Sequence, residues 1–388
     1  MKIAFISNFL NHHQKPFCDE LYSLCDEFRF VATERIPEER TKLGYDDMGE
    51  ISSYVIRLYG DSYNEEIVKN ILQSYDIIMF GSCPNSLIKY RHSIRKPYFI
   101  YTERLFKKGT WRRFVPSVYL KVRQRFLKKR STFLPRVLCA SAFASRDISL
   151  INPNYVFYKW GYFPEFYETD IKELVKMKKS TGKIKILWLG RFIDWKRPFD
   201  ILSVAVMLKK EKIDFELTLV GTGKLFNKIE KFIERNHLEK NVHLIGSVKF
   251  NLVREIMLDS QIFAITSDFN EGWGVVLNEA MNSCCAIVAS HAVGAVPYLL
   301  EHEKNGLIYK SGDIFQLFCH IKNLKENPEI RFKMGLEAYN TLHNMWNPKI
   351  AANRLIKISQ EYLNGSVNFY SDTGPCSRAD KMVNNWYE

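Results

Sequence analysis

Glu271 and Glu279 stand eight positions apart in the stretch EGWGVVLNEA. Glu271 precedes a Gly272-Trp273-Gly274 turn. Glu279 falls two turns into the helix that follows, which at about 3.6 residues per turn returns it to nearly the same side. A helix start offers N–H groups without intrahelical partners and the positive end of a dipole, and together these hold phosphate. Carboxylates accept hydrogen bonds from sugar hydroxyls. The stretch thus places hydroxyl acceptors at both ends and phosphate donors between them, which is the chemistry of a nucleotide-sugar site. Two Glu at this spacing also arise by chance in a chain of this length, so the weight rests on context.

Arg191 and Lys196, in GRFIDWKRP, supply that context. They lie between the end of a predicted strand and a helix start marked by Pro198. A planar Arg fork and a Lys point charge suit a diphosphate. Read alone, they are two solvated loop charges. Read in the same crevice as EGWGVVLNEA, they are a phosphate clamp.

These residues must be positioned by a sheet. Short β-rich runs alternate with helical patterns throughout the chain. In the first half they cover residues 2–7, 29–33, 54–58, 76–80, 98–101, 137–139 and 156–158. After a polar, Lys-rich stretch the alternation restarts at 184–189, 216–220, 242–245, 262–266, 286–289 and 306–308. This pattern predicts two parallel sheets covered on both faces, an α/β class with two doubly wound domains. Such sheets bind ligands at the carboxyl ends of their strands. In the second half those ends carry GRFIDWK, GTGK, GSVK and SDFNEGWG, and all four would line one crevice. The expected organisation is a domain over 1–165, a linker over 166–183, a second domain over 184–345, a helix over 346–364 returning toward the first domain, and a tail over 365–388.

The 388 residues suit two domains, and 46% apolar content suits full cores. No apolar run is long enough to span a bilayer. Ser7 and Asn8 interrupt the opening MKIAFISNFL, which reads as a buried strand rather than a signal peptide. Cys18, Cys25, Cys83, Cys139, Cys284, Cys285, Cys319 and Cys376 form no Cys-x-x-Cys pair and no metal-ligand spacing, so they read as small apolar residues in a reducing, cytoplasmic compartment.

The net charge is +13, and residues 104–136 hold nearly all the excess. The cations are Arg104, Lys107, Lys108, Arg112, Arg113, Lys121, Arg123, Arg125, Lys128, Lys129, Arg130 and Arg136, with no acidic residue among them. Phe106, Trp111, Phe114, Tyr119, Phe126 and Phe133 are interleaved. On the predicted helix Val118, Val122 and Phe126 share one side, and Lys121, Arg125 and Lys128 an adjoining one. The pattern predicts an interfacial helix on an anionic membrane, the inner leaflet for a cytoplasmic protein. A solvated basic face over core aromatics is the alternative. Nucleic acid is disfavoured because no nucleic-acid motif accompanies the charge.

Taken together, GRFIDWK, GTGK, GSVK and EGWGVVLNEA resemble the retaining glycosyltransferases of family 4, of GT-B fold, over roughly residues 184–363. The resemblance implies two Rossmann-like domains facing across a cleft. It implies that Arg191 and Lys196 grip the diphosphate of a nucleotide-sugar donor, with UDP-sugars favoured, and that Glu271 faces the transferred sugar. Gly272, Trp273, Gly274, Val275 and Val276 would form the turn against phosphate and sugar. Glu279 would bind the ribose, Val248 would meet the base, and Gly190, Gly221 and Gly223 would line the crevice. The acceptor would be a glycan or lipid-linked glycan in surface polysaccharide synthesis. The chain holds no Asp-x-Asp triplet, so cationic side chains would take the place of a metal and no cofactor is expected. Phe226 replaces the third glycine of a dinucleotide fingerprint in GTGKLF, which argues against a nicotinamide site.

On the acceptor side the resemblance points to Asn8, His12 and His13 in NFLNHHQKPF and to Glu103 and Arg104 after a predicted strand. Many family members carry His where Glu103 stands; Glu103 would orient a sugar hydroxyl or pair with Arg104. Two other readings remain: a nucleotide-sugar hydrolase or epimerase with His12 or Glu103 as base, and a non-catalytic membrane-binding relative.

Overall fold

The computed structural model describes residues 1–38, 48, 52–60, 62–126, 133–179, 182–367 and 373–388. The chain forms two compact units. One comprises residues 1–165 and 346–386, the other residues 166–345 and 387–388.

The first unit is built on a seven-stranded parallel sheet. Its strands are β1 (Lys2–Ser7), β2 (Glu27–Ala32), β3 (Val55–Arg57), β4 (Ile77–Phe80), β5 (Tyr98–Thr102), β6 (Arg136–Cys139) and β7 (Phe157–Lys159). They lie in the order β3-β2-β1-β4-β5-β6-β7. The central strands are apolar along their length because helices cover both faces; Ile3, Ile6, Ile77 and Phe99 have no solvent exposure. The helices are α1 (Lys15–Leu24), α2 (Ser62–Ser74), α3 (Asn85–Ser93), α4 (Pro116–Arg125) and α5 (Ala144–Ser149). The strand order reverses between β1 and β4, which opens a crevice at their carboxyl ends.

The second unit repeats the plan with six strands: β8 (Ile184–Leu189), β9 (Phe215–Val220), β10 (Val242–Gly246), β11 (Ile262–Ile265), β12 (Ala286–Ser290) and β13 (Leu307–Tyr309). Their order is β10-β9-β8-β11-β12-β13, and every pair is parallel. The reversal here falls between β8 and β11. The helices are α6 (Ile171–Lys178), α7 (Pro198–Lys210), α8 (Phe226–Arg235), α9 (Phe250–Asp259), α10 (Val276–Asn282), α11 (Val296–Leu299), α12 (Ile314–Glu326) and α13 (Pro328–Asn344). Pro at the first turn of α7 and α13 and the Asp313 side chain accepting from Gln316 N at α12 fix their starts.

All thirteen predicted strands are present, with ends within two residues of expectation. Two other expectations are corrected. Residues 166–183 are no bare linker: Asp170 caps α6 by accepting from Lys172 N. Leu174 of that helix is fully buried with Cys284 and Tyr339. Lys178, which looks solvent-facing in sequence, is buried and donates to the carbonyls of Met257 (2.7 Å) and Ser260 at the end of α9.

The described part of the expected tail is also structured. Lys159 N donates to Ser377 O (2.7 Å), Cys376 N to Lys159 O (2.8 Å) and Ala379 N to Phe157 O (3.0 Å). The segment thereby covers the open edge of β7, whose N–H and C=O groups need partners. The last helix, α14 (Pro348–Leu363), is capped by Asn347 and packs on α1 in the first unit.

Candidate active site

The strand reversal between β8 and β11 decides what meets in the second unit. Loops from these two strands run to opposite sides of the sheet, and side chains at their starts face one another. The Lys196 ammonium, after β8, donates to Glu271 Oε2, after β11. Each side chain keeps 13% of its surface exposed. Ser267 Oγ donates to the same carboxylate oxygen (2.9 Å). Thr266, the residue after β11, ties the loops further: its Oγ1 contacts the carbonyls of Lys196 (2.7 Å) and Arg197 (3.0 Å) and accepts from Trp188 Nε1 (2.8 Å). Asp268 N donates to Trp195 O (2.9 Å). A Lys and a Glu are thus held in place on loops whose backbones are cross-braced.

Glycines let these loops close. Gly221 has φ +139°, and a Cβ there would stand 2.0 Å from Gly190 O. Gly223 has φ +152°, and its Cβ would stand 2.6 Å from Phe192 O. Only glycine combines such torsions with such proximity. The Lys196 stem crosses Gly190, with Cδ at 3.6 Å from where a Cβ would lie. Gly274 has φ +89° and packs on Val293 and on the Glu271 side chain. The structure therefore brings Lys196, Glu271, Gly190, Gly221 and Gly274 together, with Gly223 packed on Phe192 of the β8 loop.

The remaining residues are placed as follows. Arg191 is exposed on the β8 loop with its guanidinium over the Trp195 ring, 5.4 Å from the centroid. Gly272 and Trp273 are buried; Trp273 Nε1 donates to Asn278 Oδ1 (2.9 Å), and Ala295 N donates to Trp273 O (3.0 Å). The Trp273 indole thus belongs to the interior and leaves only its backbone to the turn. Val275 precedes α10 and Val276 begins it. Glu279 is half-buried on that helix, and loss of hydration pushes its carboxyl up to about 8. Val248 is half-buried in the loop after β10, whose Gly246 O accepts from Gly221 N (2.7 Å).

Sequence reasoning passed over Ser267, Thr266 and Arg197. The signal for the first two is their place immediately after a wholly apolar strand, where a hydroxyl faces the crevice. Arg197 adopts a left-handed backbone, φ 52°, and pairs bidentately with Asp200 (2.7 and 3.1 Å) at the start of α7.

In the first unit Asn8 follows β1 and accepts from Ser7 Oγ (3.2 Å). His12 and His13 stand with ring centroids 3.7 Å apart, His13 buried and His12 half-buried. Glu103 follows β5 and accepts from Lys107 Nζ (2.8 Å) and the Tyr162 hydroxyl (3.2 Å). Arg104 is a correction. It is buried, its guanidinium faces Asp147 (3.5 Å) and lies over Phe143 (4.9 Å), and it does not pair with Glu103. Asp147 also accepts from the backbone N–H of Leu105 and Phe106 (both 2.9 Å). Arg104 thus helps to anchor the loop through Asp147.

The basic segment divides in the same way. Arg136 is buried against Tyr158 and Tyr362, and Arg125 donates to the carbonyls of Phe80 (3.5 Å) and Gly81. Val118 and Val122 are half-buried and Phe126 fully buried, so the expected membrane-facing side of α4 turns inward. Lys128, Lys129 and Arg130 lie outside the described residues. No helix of the described residues is long and apolar enough to cross a membrane.

Residues 170–341 match the family model of glycosyl transferases group 1. The GPI3 subunit of phosphatidylinositol N-acetylglucosaminyltransferase from Saccharomyces cerevisiae is 28% identical over 182 residues, 44% of this chain and 39% of that one, so the match spans about two fifths of the yeast protein. An uncharacterized glycosyltransferase of Methanocaldococcus jannaschii is 28% identical over 321 residues, 80% of this chain and 79% of that protein. Among solved structures, Anabaena HepE in complex with UDP superposes with TM-score 0.70 at 17% identity, covering 93% of this chain and 100% of that one, a likeness of fold. The two doubly wound sheets are those of the GT-B fold, and residues 170–341 are similar to the glycosyl transferases group 1.

Proposed function

We propose that this chain transfers a sugar, with retention, from a nucleotide-diphosphate donor, UDP-sugar foremost, to a glycan or lipid-linked glycan. The observation that carries the reading is the Lys196–Glu271 pair at the β8–β11 reversal. A cation and a sugar-binding carboxylate are there at once, on loops braced by Thr266 and by Gly190 against Gly221. HepE, of the same fold, was solved with UDP, which supports the choice of nucleotide. The yeast relative is named for transfer to phosphatidylinositol, which supports a lipid-linked acceptor.

In this reading Lys196 and Arg191 neutralise charge that develops on the leaving diphosphate, the role a divalent ion has elsewhere. Arg191 is exposed and supported by Trp195, so it can swing onto a phosphate. Glu271 accepts from hydroxyls of the transferred sugar while Ser267 holds its carboxylate. Glu279 accepts from the ribose. A donor phosphate oxygen takes the acceptor's proton, so no side chain has to serve as base.

A thermal-shift panel of UDP-, GDP- and ADP-sugars tests the donor. A ligand at about a hundred times its Kd stabilises by about 2.7 kcal/mol, and UDP-sugars are expected to give the largest rise. No rise with any nucleotide sugar would sink the reading. Rapid donor breakdown without acceptor would shift it to hydrolysis. Turnover that survives chelation of divalent ions is the expected outcome for a cation-only clamp.

A further inference from the structure

Residues 107–125 leave the first unit with a surface that its own fold does not cover. Trp111 is 62% exposed, Phe114 73%, Leu120 55% and Tyr119 38%. These side chains come from the short helical turn Thr110–Phe114 and from α4. Around them stand Lys108, Arg112, Arg113, Lys121 and Arg123, with no acidic residue in the segment. The cations lean on the rings. Arg113 lies over Phe114 (4.6 Å) and Arg123 over Tyr119 (5.9 Å). The Trp111 indole N–H is satisfied by Lys108 O (3.1 Å), so the ring leaves water without stranding a donor.

We propose that this face docks on an anionic phospholipid surface, with Trp111, Phe114, Tyr119 and Leu120 entering the headgroup boundary and the five cations meeting lipid phosphates. Charge complementarity selects the occupant. Five cations that form no ion pair among the described residues disfavour a basic or neutral partner, and exposed apolar side chains among them are what a lipid boundary rewards over free phosphate. The apolar set differs from the one the helical pattern suggests. Val118, Val122 and Phe126 face the protein, while Leu120 lies on the opposite side of α4, Tyr119 flanks it, and Trp111 and Phe114 lie on the preceding turn.

Position gives the surface a use. Arg125, at the end of α4, donates to the carbonyls of Phe80 and Gly81 at the carboxyl end of β4. Lys107 pairs with Glu103 at the end of β5. The docking face therefore begins at the sheet edge that carries the acceptor-side residues of this unit. Resting on the reading above, this assigns the acceptor to molecules held in or at the membrane, presented where they need not leave it.

The full chain is sedimented with vesicles of phosphatidylcholine containing phosphatidylserine and with vesicles of phosphatidylcholine alone. Each surface cation adds about five-fold in partitioning. The variant Arg112→Gln, Arg113→Gln, Lys121→Gln is expected to bind the anionic vesicles roughly 100-fold more weakly. Trp111→Ser with Phe114→Ser should cost roughly tenfold or more and leave the remaining binding steeply salt-dependent. Trp111, Phe114 and Lys121 are exposed and Arg112 and Arg113 half-buried, none in the core, so both variants should fold, as far-UV circular dichroism will check. Equal binding to both vesicle types, no binding to either, or aromatic variants that bind like the parent would overturn the proposal. So would tighter binding to single-stranded RNA than to vesicles. The thermal shift by UDP is expected to be unchanged in both variants. Loss of that shift in the parent, with vesicle binding intact, would strike only the donor reading.

Discussion

The two units have the same sheet plan and the same kind of crevice, yet they build its floor differently. In the second unit backbone meets backbone. Gly221 leaves no room for a methyl group against Gly190 O, and Gly223 none against Phe192 O. In the first unit a glycine at a different strand end, Gly81 after β4, faces side chains instead: a Cβ there would lie 2.6 Å from the Ser7 hydroxyl, 3.0 Å from Ser7 Cβ and 3.1 Å from the Phe5 ring. A hydroxyl can rotate aside and a carbonyl in a braced loop cannot. In the proposed reading the first arrangement suits a small, charged donor held in one pose. The second leaves side chains to set the shape. The contrast teaches that a doubly wound fold dictates where a ligand binds but leaves open how rigidly it is held.

The largest expected effect breaks the rigid site electrostatically. Lys196→Ala should lower kcat by about 10²–10³-fold, the usual range for removing one group that stabilises leaving charge. Single-turnover assays with saturating donor will read it. Next comes the backbone itself. Gly221→Ala adds a methyl group where a carbonyl stands and demands φ +139° of an L-residue; destabilisation of about 3 kcal/mol or more is expected. Gly81→Ala should cost less, about 1–2 kcal/mol, because the Ser7 hydroxyl can rotate and only Ser7 Cβ and the Phe5 ring must give by a few tenths of an ångström. Denaturant titration of both variants compares the units directly. Equal losses would erase the distinction between a backbone-built and a side-chain-built crevice.

A third prediction concerns protons. The Glu279 carboxyl titrates at about 8 in the folded chain, above its ordinary 4.5. Between those values the folded state binds more protons than the unfolded one, so stability must fall as pH rises through that window. Glu279→Gln cannot ionise and should flatten the dependence. At pH about 8 the variant should be more stable by roughly 2 kcal/mol, less than the full shift implies because the side chain keeps some contact with water. Melting curves at a series of pH values will show it. Parallel pH profiles for the two proteins would count against a neutral Glu279.

What the sequence disclosed follows the same division. Strands buried on both faces write themselves as unbroken apolar runs, so Ile77–Phe80 and Ile262–Ile265 were legible with no partner known. The glycine turns, and the placing of Lys196 and Glu271 at one crevice, were legible because each lies in a short motif at a strand end; the ion pair between them, 75 residues apart in the chain, was not. The residues misread depend on distant chain. Lys178 looks like a solvent residue until the carbonyls of Met257 and Ser260 arrive to receive it. Arg104 looks like a ligand until Asp147 does. Residues 376–379 carry no periodicity because they add one short pairing to β7, and four residues are too few to show a period. Helix α6 did leave a trace, an Asp170 cap followed by Ile171, Leu174 and Val175 at helical spacing, but the surrounding lysines masked it.

The smallest effect tests the softer crevice. Glu103 is held by Lys107 and by the Tyr162 hydroxyl, with both members of the ion pair about a third exposed. Pairs of that kind contribute about 0.2–1 kcal/mol. Glu103→Gln keeps an oxygen for Tyr162 and gives up the charge, so the melting temperature should move by about a degree or two at most. A purely structural Glu103 would stop there. If Glu103 orients an acceptor hydroxyl, the acceptor KM should rise several-fold while the donor KM stays put, because the donor residues lie on other loops. Lys107→Gln then separates the two roles. It removes the same ion pair and leaves the carboxylate in place, so it should reproduce the small change in melting temperature without the change in acceptor KM. A rise in acceptor KM shared by both variants would mean that the pair shapes the loop rather than the ligand, and Glu103 would join Arg104 as an anchor.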